Sequence, residues 1–96
     1  MSYKASSLWN EKNEIRCLII FKQLEAERFP RGRQMELCRE MSRITGLDPT
    51  NISAKVGNFK SVAGVNRASN ASRNTVEIHR RFGHLSIPDL QKLVNQ

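Results

Sequence analysis

The sequence predicts an all-α protein, a small bundle of four to five helices, on three observations. Apolar residues recur at helical spacing in successive segments. Each segment opens on a capping residue and closes near a glycine or proline. No segment alternates apolar and polar residues over enough positions to line one face of a sheet. The 96 residues suit one domain, 1–96, with a three-helix core at about 9–64, a loop at 65–73 and C-terminal helices at about 74–96. A hydrophobic content of 39% with six aromatic residues keeps its core small.

Asn10 is placed to cap a first helix running to about Arg28, with Glu11 and Glu14 in its first turn and Pro30 beyond its end. Ile15, Leu18, Ile19, Phe21 and Leu24 are its apolar positions. After the basic turn Arg31-Gly32-Arg33, Leu37, Cys38, Met41 and Ile44 repeat along a second helix of about 12 residues, until Gly46 offers a left-handed stop. Asp48-Pro49 supplies a cap and a first-turn proline for a third helix, which ends near Gly64 and turns Ile52, Val56, Phe59 and Ala63 to one side. The small polar stretch 65–71 reads as an extended loop, with a two-stranded wing within 65–75 as the alternative. Asn74-Thr-Val-Glu77 resembles a capping box with Asn74 in the cap, opening a short fourth helix that carries Ile78, His79 and Phe82 to Gly83. Ser86 caps a fifth, with Pro88 in its first turn and Leu85 set to staple onto Leu90.

Charge is the most informative number. Lys and Arg total 16 against 9 Asp and Glu, a net +7 at a sequence pI of about 10.1, which points to a polyanionic partner. The excess is local. No acidic residue falls between Asp48 and Glu77, where Lys55, Lys60, Arg67 and Arg73 stand among Asn51, Asn58, Asn66, Asn70 and Asn74. Lys, Arg, Asn and Ser are the side chains that contact phosphates and base edges, and carboxylates would be repelled there. The second and third helices are joined by Gly46-Leu47-Asp48, a short glycine-containing turn of the kind a helix-turn-helix uses to bring its second helix into a major groove. With Ile52, Val56 and Phe59 inward, the outward set is Asn51, Ser53, Lys55, Asn58 and Lys60, with Ala54 and Gly57 small enough for close approach. An ordinary solvated helix is the competing reading of that set. Arg31 and Arg33 are placed to grip a phosphate at the start of the second helix. Arg67, Asn70, Ser72, Arg73 and Asn74 form either a contact arm along the backbone or minor groove, or a plain linker.

Two resemblances follow from these residues. Trp9-Asn-Glu-Lys-Asn-Glu with Asn51-Ile-Ser-Ala-Lys55-Val-Gly-Asn58-Phe59 resembles a Myb/SANT-style three-helix unit over residues 9–62, though such repeats usually hold three spaced tryptophans and this chain has Trp9 alone, with Phe29 and Phe59 among the other aromatics in that range. The same third helix extended to Gly64, following Leu37-Cys-Arg-Glu-Met-Ser-Arg-Ile-Thr-Gly46 and followed by Asn70-Ala-Ser-Arg-Asn-Thr75, is similar to the helical N-terminal regions that precede HNH-type nuclease domains in bacterial restriction-like proteins. The resemblance implies a module for double-stranded DNA, with sensing of modified bases among its expected roles. It also implies a nuclease domain as partner and a bacterial or phage-encoded protein acting in the cytoplasm, at the nucleoid when bound.

No catalytic residue, metal site or cofactor is expected in this chain. An HNH centre needs metal-binding and base histidines beside a carboxylate, and His79 and His84 have only Glu77 near them in sequence. Cys17 and Cys38 lack the close spacing of a zinc site and read as reduced core thiols. No serine sits in a nucleophile elbow, and the five glycines are scattered. The longest apolar run, 17–21, is far short of the ~20 residues that span a bilayer, and the N-terminal residues carry no secretory signal, so no membrane partner is expected. A different class of function also fits a small basic helical protein. It is an interaction or inhibitor module, phage-encoded for example, that binds an acidic or nucleic-acid-binding protein. Leu85, Leu90, Leu93 and Val94 would then offer a face to a second copy.

Overall fold

The computed structural model describes residues 9–65 and 72–95. They form five helices: α1 (Glu11–Ala26), α2 (Arg33–Thr45), α3 (Pro49–Val62), α4 (Arg73–Phe82) and α5 (Ile87–Val94). No strand occurs among the described residues. Of the expected wing or arm, Ser72 is described and Arg73 to Thr75 are already helical, while 66–71, including Arg67 and Asn70, lie outside the described residues.

The local signals act as read at three of the five starts and at one stop. Asn10 Oδ1 accepts from the Asn13 amide at 2.8 Å, Asp48 Oδ1 from Thr50 at 2.7 Å, and Ser86 Oγ from Asp89 at 3.3 Å. Gly46, at φ +80°, closes α2 with its N–H on the Ser42 carbonyl. The start of α4 differs. The cap of α4 is Ser72, whose Oγ accepts from the Thr75 amide at 3.2 Å, and Asn74 lies inside the first turn. A serine at the cap also leaves Thr75 facing inward, where it is fully buried. The end of α1 differs too, since the helix stops at Ala26, two residues before Arg28. Arg28 and Phe29 are both left-handed, at φ 63° and 54°, and the Phe29 amide reaches back to the Leu24 carbonyl at 2.7 Å. Pro30 disfavours a helical residue before it. The reversal returns the Phe29 ring to 6.2 Å from that of Phe21. Gly83 does end α4, but with a right-handed backbone; what it needs is the absence of a Cβ, which would collide with the His79 carbonyl.

α1 is the axis of the bundle and packs against all four other helices. That is why Ile15, Cys17, Leu18, Ile20, Phe21 and Leu24 are buried around most of its circumference rather than along one stripe. Cys38 and Met41 from α2, Ile52, Val56 and Phe59 from α3, Ile78 from α4 and Leu90 from α5 complete the core, with Leu47 beneath the α2–α3 turn. The core therefore extends beyond the first three helices. Leu90 is fully buried within its own chain and Leu85, Leu93 and Val94 pack on the same core, so the proposed dimer face does not exist as read; Val94 also lines a surface groove. Cys17 and Cys38 are buried free thiols, and burial pushes the Cys17 thiol far above its ordinary range. No helix among the described residues is long and apolar enough to cross a membrane.

Candidate functional site

α3 is held on two flanks. On one, Gln34 in the first turn of α2 donates to the Ser53 carbonyl and hydroxyl at 3.2 and 2.8 Å and accepts from Lys60 Nζ at 2.6 Å. Ser53 and Lys60 are seven residues apart, so they share that flank. On the other, Lys55 Nζ lies 3.4 Å from Ser72 Oγ and 3.3 Å from Thr75 Oγ1, at the N-terminal end of α4. α3 is thus cradled between the N-terminal ends of two helices. Between the flanks a stripe faces outward at steps of three and four: Asn51 and Ala54 exposed, Gly57, Asn58 and Ser61 half-buried. A Cβ built on Gly57 meets nothing within 4 Å, so the stripe is open above it.

The expected contact residues separate into three groups. Asn51 and Asn58 stand on the stripe, and Arg31 and Arg73 are exposed beside the first turns of α2 and α4, without an ion pair among the described residues. The second group is committed to the fold. Arg33 pairs with Glu27 at 3.0 Å and with Glu36 at 3.3 Å. Ser53 is bonded to Gln34. Lys60 is held by Gln34 and lies 5.2 Å from the centroid of the Phe29 ring. The largest correction is Lys55, which does not point outward. Its Nζ is 3.1 Å from Glu14 Oε2, with side-chain exposures of 16% and 2%, and 5.4 Å from the Trp9 ring. Ser72 and Asn74 belong to the start of α4, as the cap and a first-turn residue. The third group, Arg67 and Asn70, lies outside the described residues.

The sequence reading missed the cluster of Glu14, Lys55, Ser72 and Thr75 beside Trp9. Burial pushes the Glu14 carboxyl above its ordinary value of 4.5, and the Lys55 ammonium pulls it part of the way back. Its second oxygen, Oε1, is buried without a hydrogen-bond partner. A signal was present: Glu14 precedes Cys17 by three and Leu18 by four, so it sits on the apolar side of α1. Gln34 was missed as well, and nothing in the sequence marks it.

The N-terminus of α2 is the one helix start with a glycine cap, Gly32, which makes no side-chain hydrogen bond to the first turn. Its first-turn amides other than that of Arg33, which donates to the Pro30 carbonyl at 3.2 Å, can receive an anion together with Arg31. On the far side of the stripe, Arg73 stands in the first turn of α4. No carboxylate interrupts α3 after its capping Asp48. The arrangement is a neutral strip of small and amide side chains on α3, with an exposed arginine at the start of each of the two helices that flank it. Among the described residues no group of three or more His, Cys, Asp and Glu side chains is gathered to hold a metal ion. Comparison of this chain with family models, with curated proteins and with solved structures finds no match.

Proposed function

We propose that the protein binds double-stranded DNA, with the stripe of α3 facing a groove and Arg31 and Arg73 on the phosphates that border it. The observation that carries this reading is the outward stripe itself, an acid-free run of Asn51, Ala54, Gly57, Asn58 and Ser61 opening between two helix N-termini. Small residues let a helix backbone come close to the duplex, and an asparagine amide can bond bidentately to adenine. The mechanism differs from one built on lysines of α3. Lys55 and Lys60 hold the helix in place, and arginines outside it supply the electrostatic grip.

Fluorescence anisotropy on mixed-sequence duplexes at two or more salt concentrations tests the reading, with methylated and unmethylated probes compared. Affinity should fall with salt at a log–log slope of about −0.9 for each phosphate neutralised. Arg31→Ala and Arg73→Ala should each make that slope shallower by about one, with the fold unchanged. Asn58→Asp, which places a carboxylate on the stripe, should weaken every duplex. No binding at ~50 mM salt, where nonspecific phosphate contacts are already strong, overturns the proposal.

A further inference from the structure

α3 carries polar side chains at Thr50, Asn51, Ser53, Lys55, Asn58, Lys60 and Ser61, and the fold has already engaged most of them. The amide and hydroxyl of Thr50 both donate to Asp48 Oδ1, which occupies the capping carboxylate. Ser53 is bonded to Gln34, and the same glutamine holds Lys60. Lys55 lies against Glu14, Ser72 and Thr75, and the Ser61 hydroxyl donates to the Gly57 carbonyl at 3.2 Å. Two amides are left over. The side chains of Asn51 and Asn58 make no hydrogen bond among the described residues. They stand seven residues apart on the outward stripe, about 10.5 Å along the helix axis, with the exposed Ala54 between them.

Base pairs are told apart in the major groove by the donors and acceptors on their edges. An asparagine amide matches the N6 donor and N7 acceptor of adenine, whereas guanine, with two acceptors, calls for arginine or lysine, and the cytosine amino group for a carboxylate. On α3 the lysines and the capping Asp48 are committed to the fold, so what remains free matches adenine. The Ala54 methyl, between the two amides, is the kind of group that packs on the C5-methyl of thymine. We infer that α3 reads A·T pairs in the major groove, with Asn51 and Asn58 on two adenines. Their separation of about 10.5 Å along the helix limits those adenines to roughly three base-pair steps of 3.4 Å. This inference rests on the reading that α3 faces a duplex, and it adds which groove and which bases. Lysines pointing outward would have favoured guanine; their withdrawal to Glu14 and Gln34 is what turns the preference toward adenine.

The test is fluorescence anisotropy of the full chain on duplexes of equal length at one salt concentration. The probes are alternating A-T, alternating G-C, and alternating A-T with 7-deazaadenine in place of adenine, which keeps the pairing and the minor groove but lacks the N7 acceptor. The A-T duplex should bind on the order of tenfold tighter than the G-C duplex, and 7-deazaadenine should remove most of that difference. Asn51→Ala and Asn58→Ala should each weaken binding to the A-T duplex by about fivefold, and the double variant should bind the adenine and 7-deazaadenine duplexes alike. Alanine is the better helix former at both positions, and circular dichroism checks that the variants are folded. Equal binding of the A-T and G-C duplexes, or tighter binding of G-C, overturns the inference and leaves DNA binding standing. So does an A-T preference that survives 7-deazaadenine or the double variant, which places its source in the minor groove or elsewhere on the surface. Absence of binding to every duplex at ~50 mM salt overturns the DNA reading itself, and this inference with it.

Discussion

Lys55 Nζ lies 3.1 Å from Glu14 Oε2, and the two sides of this pair are unequally placed. The carboxylate is 2% exposed and has one oxygen without a hydrogen-bond partner, whereas the ammonium is 16% exposed and also reaches Ser72, Thr75 and the face of Trp9. Glu14 therefore depends on Lys55 far more than Lys55 depends on Glu14. The pair ties α1 to α3, and the hydroxyls of Ser72 and Thr75 extend the tie to the start of α4.

Removing the cation should cost much more than removing the anion's charge. Lys55→Met keeps most of the aliphatic stem but leaves a buried carboxyl without its partner, a change that typically costs about 3 kcal/mol. Adding Glu14→Leu should recover most of that loss, since an apolar pair of similar volume replaces the buried ions. Urea denaturation of the three proteins at neutral pH measures both steps. A Lys55→Met protein as stable as the wild type would mean that the pair contributes nothing. One practical consequence is that loss of DNA binding in a Lys55 variant reports unfolding as readily as a lost contact, so Asn58, Arg31 and Arg73 are the clean probes.

The same burial predicts a pH dependence. In the unfolded chain Glu14 titrates near its ordinary 4.5, and in the folded chain above it. Between the two values the native state holds a proton that the unfolded state has released, so this group's contribution falls as pH rises through the interval. The half-buried Glu27 and Glu77 and the exposed Asp48 shift the other way, lowered by hydrogen bonds from Gln23, Arg80 and Thr50 respectively, and their contribution is lost as pH falls. Comparing the wild type with Glu14→Gln cancels those groups. The difference in unfolding free energy should shift in favour of the glutamine variant as pH climbs above 4.5, and a difference that stays flat from acid to neutral pH refutes the account.

What the sequence made legible was local. Caps at Asn10, Asp48 and Ser86, the stop at Gly46 and the apolar spacing of Ile52, Val56 and Phe59 each depend on residues within a turn or two, and each is in place. The solvent stripe of α3 follows from the same periodicity. What was not legible depends on partners far apart in the chain. The fate of Lys55 is decided by Glu14, forty-one positions away, and that of Lys60 by Gln34. A helical wheel puts both lysines beside the stripe, and only the packing of α1, α2 and α4 against α3 shows that both flanks are already occupied. The misplaced cap at Asn74 has a simpler cause: Ser72 and Asn74 are both good capping residues, and the burial of Thr75 decides between them.

The end of α1 stores strain that a substitution can release. Arg28 and Phe29 are consecutive non-glycine residues in the left-handed region, each at a cost of order 1 kcal/mol. For Phe29 the packing of its ring against Phe21 and beneath Lys60 offsets that cost. Arg28 is exposed and receives no such compensation among the described residues. Arg28→Gly should therefore stabilise the protein by about 1 kcal/mol, seen as a raised denaturation midpoint with an unchanged slope. A loss of stability would show that the arginine side chain is engaged at this turn.

Gly57 sets stability against the proposed function in a single position. It lies in the middle of α3 with an ordinary helical backbone, and a methyl group there meets no neighbour within 4 Å. Helix propensity alone then predicts that Gly57→Ala stabilises the protein by about 0.5–1 kcal/mol. On the reading that α3 approaches a duplex along the stripe of Asn51, Ala54 and Asn58, the same methyl stands between the helix backbone and the groove. Larger side chains should separate them further, so affinity should fall in the order Gly57, Gly57→Ala, Gly57→Leu while thermal stability holds or rises. Measuring melting temperature and anisotropy on the same three proteins separates the two effects. Tight, unaltered DNA binding by a folded Gly57→Leu protein would remove α3 from the interface, whatever else on the surface binds.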